Sequence, residues 1–188
     1  MLTADLDHVT SLEEFYSSIR SQQEEYHGHD YCHHHDAITK YMENCDSYKE
    51  LGTHQGGTAA AAVFTHPKKV TLVDMDMGKF NKNRKHFEKY CEDNNIDLEI
   101  IVSDSTSINT IGDGADCMLI DSRHVYQHIK KELAVHGKTI RKYIIAHDTN
   151  SKPELQRALE EYCQANPEWE MLEYHKENVG YSVIGRKS

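Results

Sequence analysis

Glu50-Leu51-Gly52-Thr53-His54-Gln55-Gly56-Gly57-Thr58 decides how the rest of the chain is read. Its first half ends a segment, Tyr48 to Thr53, that reads as a short strand. Its second half opens an alanine-rich run, Gly56 to Phe64, that reads as a helix. Glycine lets a backbone turn tightly and lets a ligand come close to the main chain. The helix that follows offers free N–H groups at its start. A strand, a glycine-bordered bend and a helix open a β-α-β unit, in which ligands sit beyond the carboxyl ends of the strands.

The chain keeps that rhythm to its end. Val70 to Val73, Leu98 to Val102, Cys117 to Ile120 and Tyr143 to Ala146 read as strands. Lys79 to Asp93, Val125 to Val135 and Pro153 to Ala165 read as helices, the last with proline near its start. Alternation of this kind predicts a Rossmann-like three-layer α/β sandwich with a mostly parallel sheet. Trp169 to Tyr174 and Val179 to Ile184 lie too close for a helical crossover, so the last strand is expected to run antiparallel.

The bend is not G-x-G-x-x-G, because His54 fills the second glycine position. This counts against a dinucleotide pyrophosphate. A carboxylate at Glu50 would also repel a diphosphate. It suits a ligand with an ammonium and a sulfonium, such as S-adenosylmethionine, cradled by Glu50, Gly52, Thr53, Gly56, Gly57 and Thr58. After the second strand, Asp74, with Met75 beside it, is placed to accept ribose hydroxyls; alternatively Asp74 or Asp76 only caps the next helix. After the third strand, Asp104 and Ser105 can reach the adenine, with helix capping again the plainer alternative.

From about Tyr48 to Ile184 the chain resembles the class I S-adenosylmethionine-dependent O-methyltransferases, especially the branch related to catechol, macrolide-sugar and cephalosporin-hydroxylase-like enzymes. Three motifs carry the resemblance: Glu50 to Thr58, Leu119-Ile-Asp-Ser-Arg-His-Val-Tyr126, and Ile144-Ile-Ala-His-Asp-Thr149. The resemblance implies that Asp121 is a metal ligand that also borders the cofactor. It implies a catalytic role for His124, three residues later, and further metal ligands at His147 and Asp148. The set suggests Mg²⁺ or Mn²⁺, but an acid is usual where His147 stands. The softer, neutral histidine leaves open a transition metal or no metal at all, with His147 and Asp148 binding substrate or orienting a loop instead. The expected reaction is methyl transfer to oxygen of a small hydroxylated acceptor, with Asp121 and His124 at the reacting centre and His124 as general base. The competing readings are a non-catalytic module that holds an adenosyl ligand, and an NAD-dependent oxidoreductase.

Residues 1–46 are expected to form an N-terminal helical lid on the cofactor-binding domain, 47–188. Ser11 to about Tyr26 and His33 to Asn44 read as its helices, the second with Ile38, Tyr41 and Met42 turned inward. Five histidines fall between His27 and His35. Cys32 and Asp36 lie close by, but His33, His34 and His35 are consecutive and cannot all face one ion from a helix, so a structural zinc site is disfavoured. The segment reads as a polar lid folded over the crevice or as a plain turn between helices with solvated histidines.

Bulk properties narrow the partners. The chain has 188 residues, enough for one domain, and a net charge of −10, which disfavours phosphate backbones. Five scattered cysteines without a C-x-x-C pair suggest a reducing cytoplasm. No apolar run is long enough for a bilayer. The expected partner is a small molecule, not nucleic acid or a membrane; a homodimer is left open.

Overall fold

The computed structural model describes residues 3–187, so the outer ends of the expected segments, at residues 1, 2 and 188, lie outside the described residues. Strand β1 (Ser47–Leu51) is buried along its whole length. It pairs in parallel with β2 (Lys69–Asp74) on one side and β4 (Ala115–Ile120) on the other. Chain order therefore reverses between β1 and β4, which opens a crevice above their carboxyl ends. β3 (Asp97–Val102), β5 (Ile140–His147), β6 (Trp169–His175) and β7 (Tyr181–Arg186) complete a seven-stranded sheet in the order β3-β2-β1-β4-β5-β7-β6. β7 alone is antiparallel to its neighbours, inserted between β5 and β6. The fold is thus the Rossmann-like sandwich that the motif order predicts, with its expected antiparallel final strand.

Helices cover both faces. On one lie α1 (Leu12–His27), α2 (His33–Met42) and α3 (Gly57–Val63), whose Phe15, Ile38 and Ala60 share a core with Tyr48 and Leu72. Ser11 caps α1 by accepting the N–H of Glu14 at 3.2 Å. On the other face, α6 (Tyr126–His136) and α7 (Pro153–Ala165) bury Leu133 and Leu159 against Leu51, Met118 and Ile144. Strand period 2 explains the split: Tyr48 and Glu50 face one layer while Lys49 and Leu51 face the other. Among the described residues no helix is long and apolar enough to cross a membrane, and the five cysteines are free.

Several boundaries differ from expectation, and three of them have a local cause. β1 stops at Leu51, because Gly52 takes φ +92° and leaves the extended region. The helix expected over Lys79 to Asp93 is two: α4 (Gly78–Asn81) and α5 (Arg84–Asp93). The break falls at Lys82 and Asn83, and Asn83, at φ −115° and ψ 0°, leaves the helical region before α5 begins. It lets Phe80 and Phe87 converge, ring centroids 4.9 Å apart, under Gly56. β7 begins at Tyr181 rather than Val179, because Gly180 at φ +71° still belongs to the turn.

Candidate active site

Two bends meet over the crevice. A Cβ on Gly52 would stand 2.6 Å from the carbonyl carbon of Asp121, so the loops after β1 and β4 touch backbone to backbone there. Gly56, at φ +95°, starts α3. Gly57 lies against His35 and Ile19, which a Cβ would approach to 3.3 Å. Close approach, rather than phosphate binding, is what these glycines serve. The N–H groups of Thr53 and His54 are donated to Asp74 Oδ2 at 2.8 and 3.1 Å. Asp74 Oδ1 accepts the N–H of Asp76 at 3.0 Å. An anion would find those loop amides already satisfied by a carboxylate.

Around this bend the structure brings together Gly52, Asp74, Met75, Asp104, Ser105, Asp121 and His124, which line a cleft of about 580 Å³. Asp74 retains roughly one of a carboxylate's four lone-pair positions for a ligand. Asp104 is exposed and accepts both the N–H and the hydroxyl of Thr106 at 2.8 Å, which lower its pKa. The Ser105 hydroxyl is spent on Glu132, at 2.5 Å. Glu132 is fully buried and also accepts from Ser122. It went unnoticed in the sequence; an acid four residues after His128, between the apolar Ile129 and Leu133 on the inward helix face, was its signal.

Glu50 is fully buried at the end of β1. Its Oε2 accepts the Tyr48 hydroxyl at 2.6 Å, and its Oε1 has no partner. Burial pushes its carboxyl up to about 8; the bonded Tyr48 hydroxyl and the nearby Thr58 hydroxyl, not placed to complete a hydrogen bond, pull the other way. The Thr53 hydroxyl is likewise buried and unpartnered. Thr53, Gly57 and Thr58 border a smaller chamber closed by Tyr31, His34 and His35 of the N-terminal segment. The histidine-rich stretch therefore packs over the crevice beside the glycine bend.

Asp121, His124, His147 and Asp148 form one rim, as the ends of adjacent β4 and β5 dictate. His124 Nε2 lies 3.1 Å from Asp121 Oδ1 and 2.8 Å from Asp148 Oδ2. His147 Nδ1 reaches the same two carboxylates at 3.3 and 3.5 Å. Hydrogen bonds to Asp121 and Asp148 raise the His124 pKa to about 9. Burial opposes charge on His147, but the carboxylates outweigh it and lift the ring to about 10. The Asp148 carboxyl is held well below its usual range by the two imidazoles, against the effect of burial. Two carboxylates thus face two imidazoles that carry protons at neutral pH. Asp148 reaches this position with φ +61°, a conformation uncommon outside glycine. The ligand atoms that lie within 4.8 Å of one another come from Asp121, His124 and Asp148. His147 is 2% exposed and stands behind them, its ring 4.0 Å from that of His34.

No family model matches the chain, and no curated protein matches it in sequence. Solved structures match in fold. The O-methyltransferase from Bacillus cereus in complex with SAH has TM-score 0.69 and 15% identity, covering 94% of this chain and 90% of that one. The O-methyltransferase TomG from Streptomyces achromogenes, in complex with SAM, has TM-score 0.65 and 8% identity, covering 100% of this chain and 93% of that one. The SAH-bound methyltransferase from Podospora anserina has TM-score 0.62 and 13% identity, covering 94% and 88%. At such identities the likeness carries the fold alone.

Proposed function

We propose that this chain, with the fold of the class I methyltransferases, transfers a methyl group from S-adenosylmethionine to a hydroxyl of a small acceptor. The observation that carries the reading is the Glu50 carboxyl group, buried with one oxygen unpartnered beside a glycine bend at the point where strand order reverses. Such a group is costly unless a ligand completes it, and an ammonium would do so. The loop amides already bound to Asp74 argue against a diphosphate, and so against the dinucleotide alternative.

The methyl donor supplies an activated methyl on a positive sulfur, which leaves as a neutral thioether when the acceptor oxygen takes the methyl and gives up its proton. The chain's residues do the rest. Glu50 and Thr53 hold the ammonium end. Asp74 offers its remaining lone pair to a ribose hydroxyl. Asp104, on the far wall of the cleft, meets the adenine amino group. His124, at the rim, takes the acceptor proton in its neutral form. That form is a minor one at pH 7 because the pKa is raised to about 9, so turnover should rise as pH climbs toward that value. Asp121 and Asp148 orient the ring and stabilise the cation that results.

A divalent ion at the rim belongs to the same proposal, supported by Asp121, His124 and Asp148 ligand atoms that lie within 4.8 Å of one another. Asp121 and Asp148 would hold it; two carboxylates beside imidazoles suit Mn²⁺ ahead of Mg²⁺. When bound it would chelate acceptor oxygens and lower the pKa of a hydroxyl.

The test is direct. S-adenosylhomocysteine titrated into the protein should give saturable heat. Incubation with the methyl donor and a panel of catechols, sugars and hydroxy acids should release S-adenosylhomocysteine only when an acceptor is present. Absence of heat with both adenosyl compounds removes the proposal.

A further inference from the structure

A second cluster lies outside the crevice rim, where the start of α2 meets the turn between β6 and β7. His33 Nδ1 stands 2.8 Å from His175 Nε2, although the two residues are 142 positions apart in the chain. Glu177 Oε2 lies 3.5 Å from His33 Nδ1 and 3.7 Å from His175 Nε2. Two imidazole nitrogens and a carboxylate oxygen thus converge on one point, all within 4.8 Å of one another. The geometry points to a site for a divalent transition metal, Zn²⁺ by preference, that ties the N-terminal segment to the last hairpin.

Three observations carry this. The donor set of two imidazoles and one carboxylate is borderline-soft, which suits zinc and its neighbours and not Mg²⁺ or Ca²⁺. Distances are close to a ligand triangle. Nitrogens bonded to a tetrahedral zinc at about 2.0–2.1 Å stand about 3.3 Å apart, so the two rings need to open by only about 0.5 Å. The third is the support around each ring. A zinc-bound histidine almost always donates its other N–H to a carboxylate or carbonyl. His33 Nε2 lies 3.2 Å from Asp30 Oδ1. The His175 ring stacks on Tyr181, centroids 4.8 Å apart and planes at 12°, which holds its orientation.

Charge agrees as well. Asp30 and Glu177 bring two carboxylates against two imidazoles. The side chains of His33 and His175 are 31% and 23% exposed, so an ion can enter from solvent, and water can fill a fourth position. His34, the next residue along, packs on His147. A metal at His33 would therefore fix the start of α2 over the rim of the crevice. The histidine run serves two surfaces in this arrangement: His33 turns to the hairpin, while His34 and His35 turn to the crevice.

Chelator-treated protein should be titrated with Co²⁺, read by its visible absorption, and with Zn²⁺, read by calorimetry. The expected result is a binding event that His33→Gln and His175→Gln each remove, and that Asp148→Asn leaves in place. Asp30→Asn should weaken it by about 10–100-fold, the usual effect of losing a carboxylate behind a metal-bound histidine. Glu177→Gln changes an exposed side chain, so its weakening of binding cannot be put down to misfolding. Saturating Zn²⁺ should raise the unfolding temperature of the Asp148→Asn protein, which lacks a rim ligand, and not of the protein that also carries His175→Gln. Binding that survives both histidine changes but disappears in Asp148→Asn would place the ion at the crevice rim and overturn the proposal. So would the absence of any Zn²⁺ or Co²⁺ binding.

Discussion

The Tyr48 hydroxyl donates to Glu50 Oε2 at 2.6 Å from two residues earlier on the same face of β1. The pair leaves Glu50 Oε1 free and buried. Burial raises the Glu50 carboxyl from 4.5 to about 8. A carboxyl raised on folding contributes stability that is full below its unfolded pKa and is lost as pH climbs through the folded one. The ligand-free protein should therefore lose stability between pH 4.5 and about 8 through this group. An ammonium on Glu50 favours the ionised form, so binding of the adenosyl ligand should expel a proton. Calorimetry at pH 7 in two buffers of different ionisation heat should show proton release, with affinity rising toward pH 8. In Glu50→Gln the release should vanish; its persistence would mean that another group loses the proton.

His124→Ala should lower methyl transfer by about 10²–10⁴-fold, the range for loss of a general base. S-adenosylhomocysteine affinity should be nearly unchanged, because His124 sits at the acceptor end of the cleft. Turnover equal to the parent would dismiss the role.

Gly52 and Gly28 both have positive φ, but for different reasons. Nothing lies within 4 Å of a Cβ built on Gly28, whereas on Gly52 it would enter the Asp121 backbone. Gly28→Ala should cost only the conformational strain of a backbone region nearly exclusive to glycine, about 1–3 kcal/mol. Gly52→Ala should cost several times that and abolish binding of the adenosyl ligand, since the loops after β1 and β4 must separate. Thermal unfolding of the two variants, side by side, checks the ranking. Equal losses would deny the close approach.

Asp74→Ala removes the acceptor for the Thr53 and His54 amides. Charge-assisted hydrogen bonds of this kind are each worth about 1.5–3 kcal/mol. The variant should unfold at a lower temperature and lose ligand affinity together. An intact melting temperature with affinity lost would assign Asp74 to the ligand alone.

Much of this site was legible in particular residues. Glu50, Gly52 and Gly56 announce a bend at a strand end, and Asp121 and Asp148 fall just past two hydrophobic runs. Parallel strands put such positions along one edge of the sheet, so a common rim follows from their placement alone. Tyr48 could have been added, because period 2 puts it on the face of Glu50. The bond from Asp74 back to the glycine bend could not. It depends on the lateral pairing of β1 with β2, which two segments 20 residues apart do not reveal. The split between α4 and α5 was missed because the helical spacing of Phe80 and Phe87 continues across it.

By itself the amino-acid order determined the alternation of strands and helices, the place of the glycine bend and the antiparallel close of the sheet. These rest on local periodicity and turn chemistry, which are written along the chain. Folding in three dimensions decided which groups meet. It set two imidazoles against two carboxylates at the rim, pressed His34 onto His147, and brought His33 to His175. Such contacts join residues far apart in sequence, and their energies depend on burial and on distances that only the packed sheet defines.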